Sequence, residues 1–430
     1  MVNLSQYYGY NHRQRTMIKR PNYLNQLKPF INMPVIKVIT GIRRSGKSTV
    51  IKLLQEELLK QGIDAEQIIY INFESFVFND FKTADKLYAL VKEKIQTTRK
   101  YYLLLDEIQE VTDWEKAINA FIVDFDLDLY ITGSNSYLLS SELATYIAGR
   151  YVEIPVFTLS YREFLDFKAS YSQQKSAQNS ITLFNEYLRK GGFPMVHIAD
   201  YESETVYKIV QDIYASVILR DTIQRHKIRD VELLERIIKY AFDNIGNTFS
   251  GKNVADYFKS QQRKLDLNTV YNYLKALESA FILHRVERFD IKGKEILKTQ
   301  EKFYLGDVSL LYAAMGFRTS LIAGILENLV YLELKRRGYQ VYIGKLDKQE
   351  IDFVAQKKSE KIYIQVAYKL ESEQTIQREF SPLQAIADNY PKYVVTMDDF
   401  WQDNIDGIVH QHIGEFLLGD DDAFNRNEFI

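Results

Sequence analysis

The sequence predicts an α/β protein in three parts: a parallel sheet covered by helices on both faces, a mainly helical region, and a smaller α/β region at the end. Three observations carry this. Between residues 35 and 165, short apolar runs alternate with amphipathic stretches, the pattern of strands joined by crossover helices. Beyond residue 180 helical periodicity takes over, ending in two helices and two strands over 250–306. From 324 a helix is followed by three short strands, a third arrangement. A chain of 430 residues is too long for one core, and two or three domains are the ordinary outcome.

In the first part, expected over residues 1–170, strands are predicted at Val35–Thr40, Ile68–Phe73, Tyr101–Asp106 and Leu129–Thr132. Helices are predicted near 47–60, 84–97, 113–121 and 136–147. Ala169–Ser180 is polar and rich in Ser and Gln, and reads as a loop. The second part, 171–310, should hold helices near 181–190, 202–224 and 231–245, with a turn at Gly191-Gly192-Phe193-Pro194. Ser250 is placed to cap a helix running through Phe258, and Asn268 another running through Ala280. Strands at Ile282–Phe289 and Ile296–Tyr304 then flank Lys292-Gly293-Lys294. Two helices and a hairpin in that order suggest a winged helix-turn-helix. The third part, 311–430, begins with a helix at 324–338 and strands at 339–343, 350–355 and 361–367.

Composition excludes several chemistries. There is no cysteine, which removes disulfides, thiolate metal sites and a Cys nucleophile and fits a reducing cytoplasm. The first residues are polar, without the apolar core of a signal peptide. No apolar run approaches the ~18 residues of a membrane helix, so no membrane partner is expected. Net charge is −2, so the chain as a whole is not a basic nucleic-acid coat. Charge is nevertheless uneven: Met1 to Gln55 holds ten Lys/Arg and no acid, and Asp420–Asp422 forms an acidic run. The basic segment either touches an anionic partner or is a solvated stretch beside a phosphate site.

Gly41-Ile42-Arg43-Arg44-Ser45-Gly46-Lys47-Ser48 fits the pattern GxxxxGK[ST], between a predicted strand and a predicted helix. Two glycines let the backbone curl so that its N–H groups face a phosphate, and the helix start adds partial positive charge. Lys47 is expected on the β and γ phosphates of ATP, and Ser48, followed by Thr49, on Mg²⁺. The apolar strand Tyr101–Leu105 ends in Asp106-Glu107, placing two carboxylates at the carboxyl edge of a parallel sheet, where ligands bind. Asp106 would order the metal and Glu107 would polarise the attacking water. Ser134 and Asn135 follow the next strand. They either reach the γ-phosphate or water, or, for Ser134, cap a helix. Arg150 is a candidate charge clamp on the transferring phosphoryl group, within one chain or across a homo-oligomer, or else a surface arginine.

The strings GIRRSGKST, LLLDEIQEVTDW, ITGSNS, AGR at 148–150 and FTLSYREF resemble the AAA-like P-loop ATPases of bacteria and archaea. The resemblance continues through YLRKGGFPMV, ILRD at 218–221, FYLGDVSLLYA, ILENLVYLEL and EIDFV, nearly the whole chain. It implies ATP and Mg²⁺ as cofactors at Lys47, Ser48, Asp106 and Glu107. It also implies a winged helix and a carboxyl-terminal domain similar to PD-(D/E)XK nucleases. Such a nuclease gathers a helix Glu, a strand Asp and a Glu-x-Lys on one metal. Here Glu327 and Asp352 match, but Gln365 and Ala367 stand where Glu and Lys are expected. Alternation would put Lys369 on the face of Gln365 and Ala367, one pleat too far for a water-placing lysine. An inactive, structural or DNA-holding nuclease-like domain is therefore expected, with an ATP-dependent DNA nuclease that uses Lys369 as the alternative.

In the winged helix, residues 250–295 carry the candidate DNA contacts: Asn268, Thr269, Asn272 and Lys275 on the recognition helix, Arg263 and Lys264 before it, Lys292 and Lys294 at the wing. Asp266 and Glu278 dilute that charge, and a protein partner is the alternative.

Overall fold

The structure is a computed structural model and describes residues 17–96, 98–136, 149–171, 180–260, 266–398, 400 and 404–419. The basic segment before residue 17, all but the first residue of the helix expected at 136–147, most of the loop expected at 169–180, Arg263, Lys264 and the acidic run at 420–422 lie outside these residues. The chain forms two compact units. One comprises residues 1–38, 47–132 and 150–154, the other 39–46, 133–149 and 155–430.

The first unit is organised by a five-stranded sheet. Its strands are β1 (Ile36–Thr40), β2 (Ile68–Asn72), β3 (Tyr101–Asp106), β4 (Leu127–Gly133) and β5 (Tyr151–Pro155), in the order β2-β3-β4-β1-β5. Pairings β2–β3 and β3–β4 are parallel, in a register that sets Asn72 opposite Asp106 and Leu105 opposite Ile131. All six residues of β3 are buried, which is why it reads as a continuous apolar run rather than an alternation. Helices Lys47–Lys60, Ala84–Lys94 and Trp114–Asp124 make the crossovers. A charged pair lies within this core: Lys37 on β1 meets Asp128 on β4, both fully buried. Its polar demand is met by Met33 O at 3.0 Å from Lys37 Nζ, and by Tyr130 OH and the Asn32 N–H donating to Asp128, the condition under which a buried ion pair is tolerated.

The second unit begins with helices Tyr161–Tyr171, Ser180–Lys190 and Ser203–Ser216. The last of these runs into a π-helical segment, Val217–Gln224, where periodicity predicts an unbroken helix. Val231–Asp243, Gly251–Ser260 and Leu267–Ser279 follow. Ser250 Oγ accepts from the Asn253 N–H, as a cap should. The helix Leu267–Ser279 is capped by Asp266, which accepts from the Asn268 N–H, so Asn268 is a helical residue and not the cap expected of it.

The second sheet has eight strands: β6 (Leu283–Asp290), β7 (Glu295–Leu305), β8 (Gln340–Leu346), β9 (Gln349–Lys357), β10 (Glu360–Val366), β11 (Lys392–Thr396), β12 (Asn404–Ile405) and β13 (Ile408–His412), in the order β12-β13-β11-β10-β9-β8-β6-β7. Its centre is an antiparallel meander β8-β9-β10 with β11 parallel to β10. Helices Ile322–Arg336 and Glu373–Gln384 precede and interrupt it. The hairpin β6–β7 is not a free wing: β6 pairs in parallel with β8 over Arg288–Asp290, and Lys292 forms an ion pair with Asp347 between β8 and β9. β10 stops at Val366, so the strand alternation expected to align Lys369 with Gln365 does not reach it.

His197 is buried in this unit, with Nε2 2.8 Å from the Gly191 carbonyl oxygen and its ring edge-on to Phe164. Burial pushes its pKa down from 6.5 to about 4. The folded state therefore holds the ring neutral where the unfolded chain would protonate it. Its contribution is complete above the ordinary pKa and is lost as pH falls toward 4, by up to ~1.4 kcal/mol per pH unit. Denaturant titrations at pH 7 and 5 should show His197→Gln losing less stability on acidification than the wild type. Equal losses would place the acid sensitivity elsewhere.

Candidate functional site

The phosphate-loop sequence takes the backbone its glycines allow. Gly41 has φ 143° and Gly46 φ 100°. A Cβ on Gly41 would lie 2.1 Å from the Val156 carbonyl oxygen, so no side chain fits there. Arg44 is also left-handed, at φ 68°, and exposed, a conformation that non-glycine residues adopt rarely. Lys47 opens the helix Lys47–Lys60 and is buried, whereas Ser48 and Thr49 are half-buried.

In the first unit the side chains expected to act together do meet. Lys47 Nζ is 3.6 Å from Glu107 Oε1, with both side chains buried. Asp106 accepts from Tyr70 OH at 3.0 Å and from Thr132 Oγ1 at 2.6 Å, and it also hydrogen-bonds Ser48. Burial raises the Asp106 pKa, against the opposing effect of those hydrogen bonds. Glu107 sits at φ 57°, left-handed, its N–H donating to Thr132 Oγ1 at 2.8 Å. Gln109 donates to the other Glu107 oxygen. Strained backbone of this kind persists where its surroundings fix it, and it is concentrated at functional sites. Tyr70 and Gln109 carry no sequence signal. Thr132 could have been read from its place at the end of β4, opposite the acids on β3. Arg150 is exposed at the start of β5, and its carbonyl accepts from the Ile36 N–H at 2.7 Å.

In the second unit Ile42 joins the apolar core. Arg43 is buried with Nη1 3.8 Å from Asp221 Oδ2. Ser134 Oγ donates to Asp221 Oδ1 at 3.2 Å, and Asn135 is fully buried. Asp221 lies on the π-helical segment, a distortion often found at functional positions. Its role in holding both Arg43 and Ser134 was not legible, because ILRD carries the resemblance but does not show which distant residues Asp221 meets.

At the winged-helix candidates, Asn268, Asn272 and Lys275 are exposed and Thr269 is half-buried. In the eight-stranded sheet, Glu327 and Asp352 converge as expected. Gln365 is turned to the backbone, its Oε1 accepting from the Asp352 N–H at 3.1 Å. Asp352 Oδ2 accepts from the Val366 N–H at 2.9 Å. Ala367 is buried just past the end of β10. Lys302 on β7, which no sequence motif marks, joins this group.

The AAA domain family matches residues 34–165, and a domain of unknown function (DUF8612) matches residues 181–321. A protein of Haemophilus influenzae is 40% identical over 405 residues, covering 94% of this chain and 99% of its own length. A protein of Methanocaldococcus jannaschii is 31% identical over 344 residues, covering 78% of this chain and 75% of its own. The chain belongs to one family with these two proteins, and within it residues 34–165 match the AAA domain. Among solved structures it is similar to Cdc6p from Pyrobaculum aerophilum, with 12% identity, a TM-score of 0.32, and coverage of 76% of this chain and 98% of that one. The family assignment accounts for the P-loop sheet. No helix among the described residues is long and apolar enough to cross a membrane.

Proposed function

We propose that this AAA-domain protein is a Mg²⁺-dependent ATPase whose nucleotide state acts on a winged-helix and nuclease-like module. The observation that supports it most is the set of buried Lys47, Asp106 and Glu107 with half-buried Ser48, joined by hydrogen bonds and an ion pair. Lys47 binds the β and γ phosphates, and the Gly41–Gly46 backbone wraps them. Ser48 and Asp106 are the residues that would hold Mg²⁺. They already share a hydrogen bond, and a hydroxyl beside a carboxylate is an oxygen donor set that suits that ion. When bound, Mg²⁺ neutralises phosphate charge. Glu107 accepts the proton of the attacking water, with Gln109 and Thr132 fixing its side chain and backbone. Ser134 and Asn135 are the polar groups offered to the γ-phosphate, and Arg150 is the charge clamp, within one chain or from a neighbouring copy.

The meander β8-β9-β10, with β11 parallel beside β10 and helices at Ile322–Arg336 and Glu373–Gln384, supports the nuclease-like reading of the last part. With Gln365 and Ala367 in place of Glu and Lys, it cuts no DNA. A second reading is favoured by one observation. The hairpin expected to probe DNA is joined to β8, and Lys292 is paired with Asp347, so this element is built into the sheet. On that reading the module is a nucleotide-gated platform for a protein partner.

ATP hydrolysis measured with and without single-stranded, linear duplex and circular DNA separates the two. Stimulation by DNA that declines steeply with salt, as phosphate contacts require, supports the first. Hydrolysis indifferent to every DNA form supports the platform, and no hydrolysis at all removes the enzyme.

A further inference from the structure

The nuclease-like part implies a divalent cation between Glu327 and Asp352, and the residues present do not fit one. Lys302 reaches that place from β7. Its Nζ is 2.9 Å from Glu350 Oε1, 3.3 Å from Glu327 Oε2 and 3.5 Å from Asp352 Oδ1. The Lys302 side chain is 3% exposed. One oxygen from each of three carboxylates thus converges on a single positive point, the arrangement a metal would otherwise require. β6 pairs with β8 over Arg288–Asp290, and Lys302 lies beyond that pairing, on β7 opposite Val286, in the half of the hairpin that Leu305 ties to Asn328 of the Glu327 helix.

Other groups of the protein also bond to oxygens of this cluster. Tyr304, two residues along the same strand face, donates to Glu327 Oε2 at 3.0 Å. Asp352 Oδ2 is taken by the Val366 N–H, and the Gln365 carbonyl by the Asp352 N–H. Mg²⁺ demands six oxygens at about 2.1 Å and gives up its waters reluctantly. It cannot share this space with an ammonium.

We propose that the Lys302 ammonium is the resident cation of the Glu327–Glu350–Asp352 cluster and closes it to divalent metal. The electrostatics agree. Burial alone would lower the lysine pKa, but Glu327, Asp352 and Glu350 outweigh it and hold the ammonium charged. Burial and the neighbouring Asp352 push the Glu327 pKa up, and the Lys302 ammonium pulls the other way. The proposal goes beyond loss of the nuclease residues: it names what replaced the metal, and it stands whether or not the chain hydrolyses ATP.

Mn²⁺ titrated into the full-length, nucleotide-free protein and followed by electron paramagnetic resonance tests this. Wild type should show no Mn²⁺ binding that Asp352→Asn removes. Lys302→Met, of similar length but uncharged, should gain one site about tenfold or more tighter than any in wild type, and Asp352→Asn added to it should remove that site. A wild-type site abolished by Asp352→Asn overturns the proposal, as does a folded Lys302→Met chain that gains none. If Lys302→Met folds only when millimolar Mn²⁺ is supplied, the cation assignment holds. If it stays unfolded with Mn²⁺, the lysine does something a metal cannot, and the assignment fails.

Discussion

Lys47→Ala is expected to weaken ATP binding by roughly two to three orders of magnitude, following the ~2–5 kcal/mol lost when one member of a buried charged pair is truncated. Lys47 is 3% exposed and paired with Glu107, so the contact is screened little by water. The fold should survive, because alanine is the best helix former at the opening of Lys47–Lys60, and the glycine-built loop before it is untouched. Titration with a fluorescent ATP analogue, checked by thermal unfolding, is the measurement. Near-normal hydrolysis by the variant would end the phosphate-loop assignment.

Glu107→Gln is expected to separate binding from chemistry. Gln keeps the shape and cannot take a proton, so turnover should fall roughly 10²–10⁴-fold, the usual worth of a general base. Binding should persist and tighten, because Glu107 Oε1 lies 3.6 Å from Lys47 Nζ and competes with phosphate for it. The variant should therefore trap the ATP-bound state. Lost binding with residual turnover unchanged would make Glu107 a structural partner of Lys47 and no more.

Much of the first sheet was legible because its strands are apolar throughout and its helices amphipathic. Tyr101–Asp106 and the helix Lys47–Lys60 fall at the residues the pattern predicts. β5 was missed, since Tyr151–Pro155 is only partly buried and carries a Glu at its centre. Lys37 inside β1 shows a different limit. A lysine in an apolar run looks like an irregularity until Asp128, 91 residues away in sequence, is seen against it. The same holds at the sites. Motifs mark groups that are close in sequence or fixed in spacing, so Lys47, Ser48, Asp106 and Glu107 could be named. Asp221 and Lys302 act through partners on other elements, and nothing local distinguishes a lysine that neutralises three acids from one that faces water. The cap of Leu267–Ser279 failed for a smaller reason: Asp266 and Asn268 are both good capping residues, and two positions decide between them.

The joined hairpin has a consequence for how the protein can be dissected. Several stitches tie the hairpin to the helix and strands beyond it. Among them are the β6–β8 pairing, the Lys292–Asp347 ion pair, the Asn328 side chain bonded to both the N–H and the carbonyl of Leu305, and the Lys302 ammonium among its acids. A fragment ending at residue 321, where the match to the domain of unknown function stops, would cut every one. It would bare a sheet edge and leave a lysine among apolar neighbours with its counter-charges removed. A border drawn through a sequence is thus not always a seam in the object, and here the working piece is the hairpin together with its sheet.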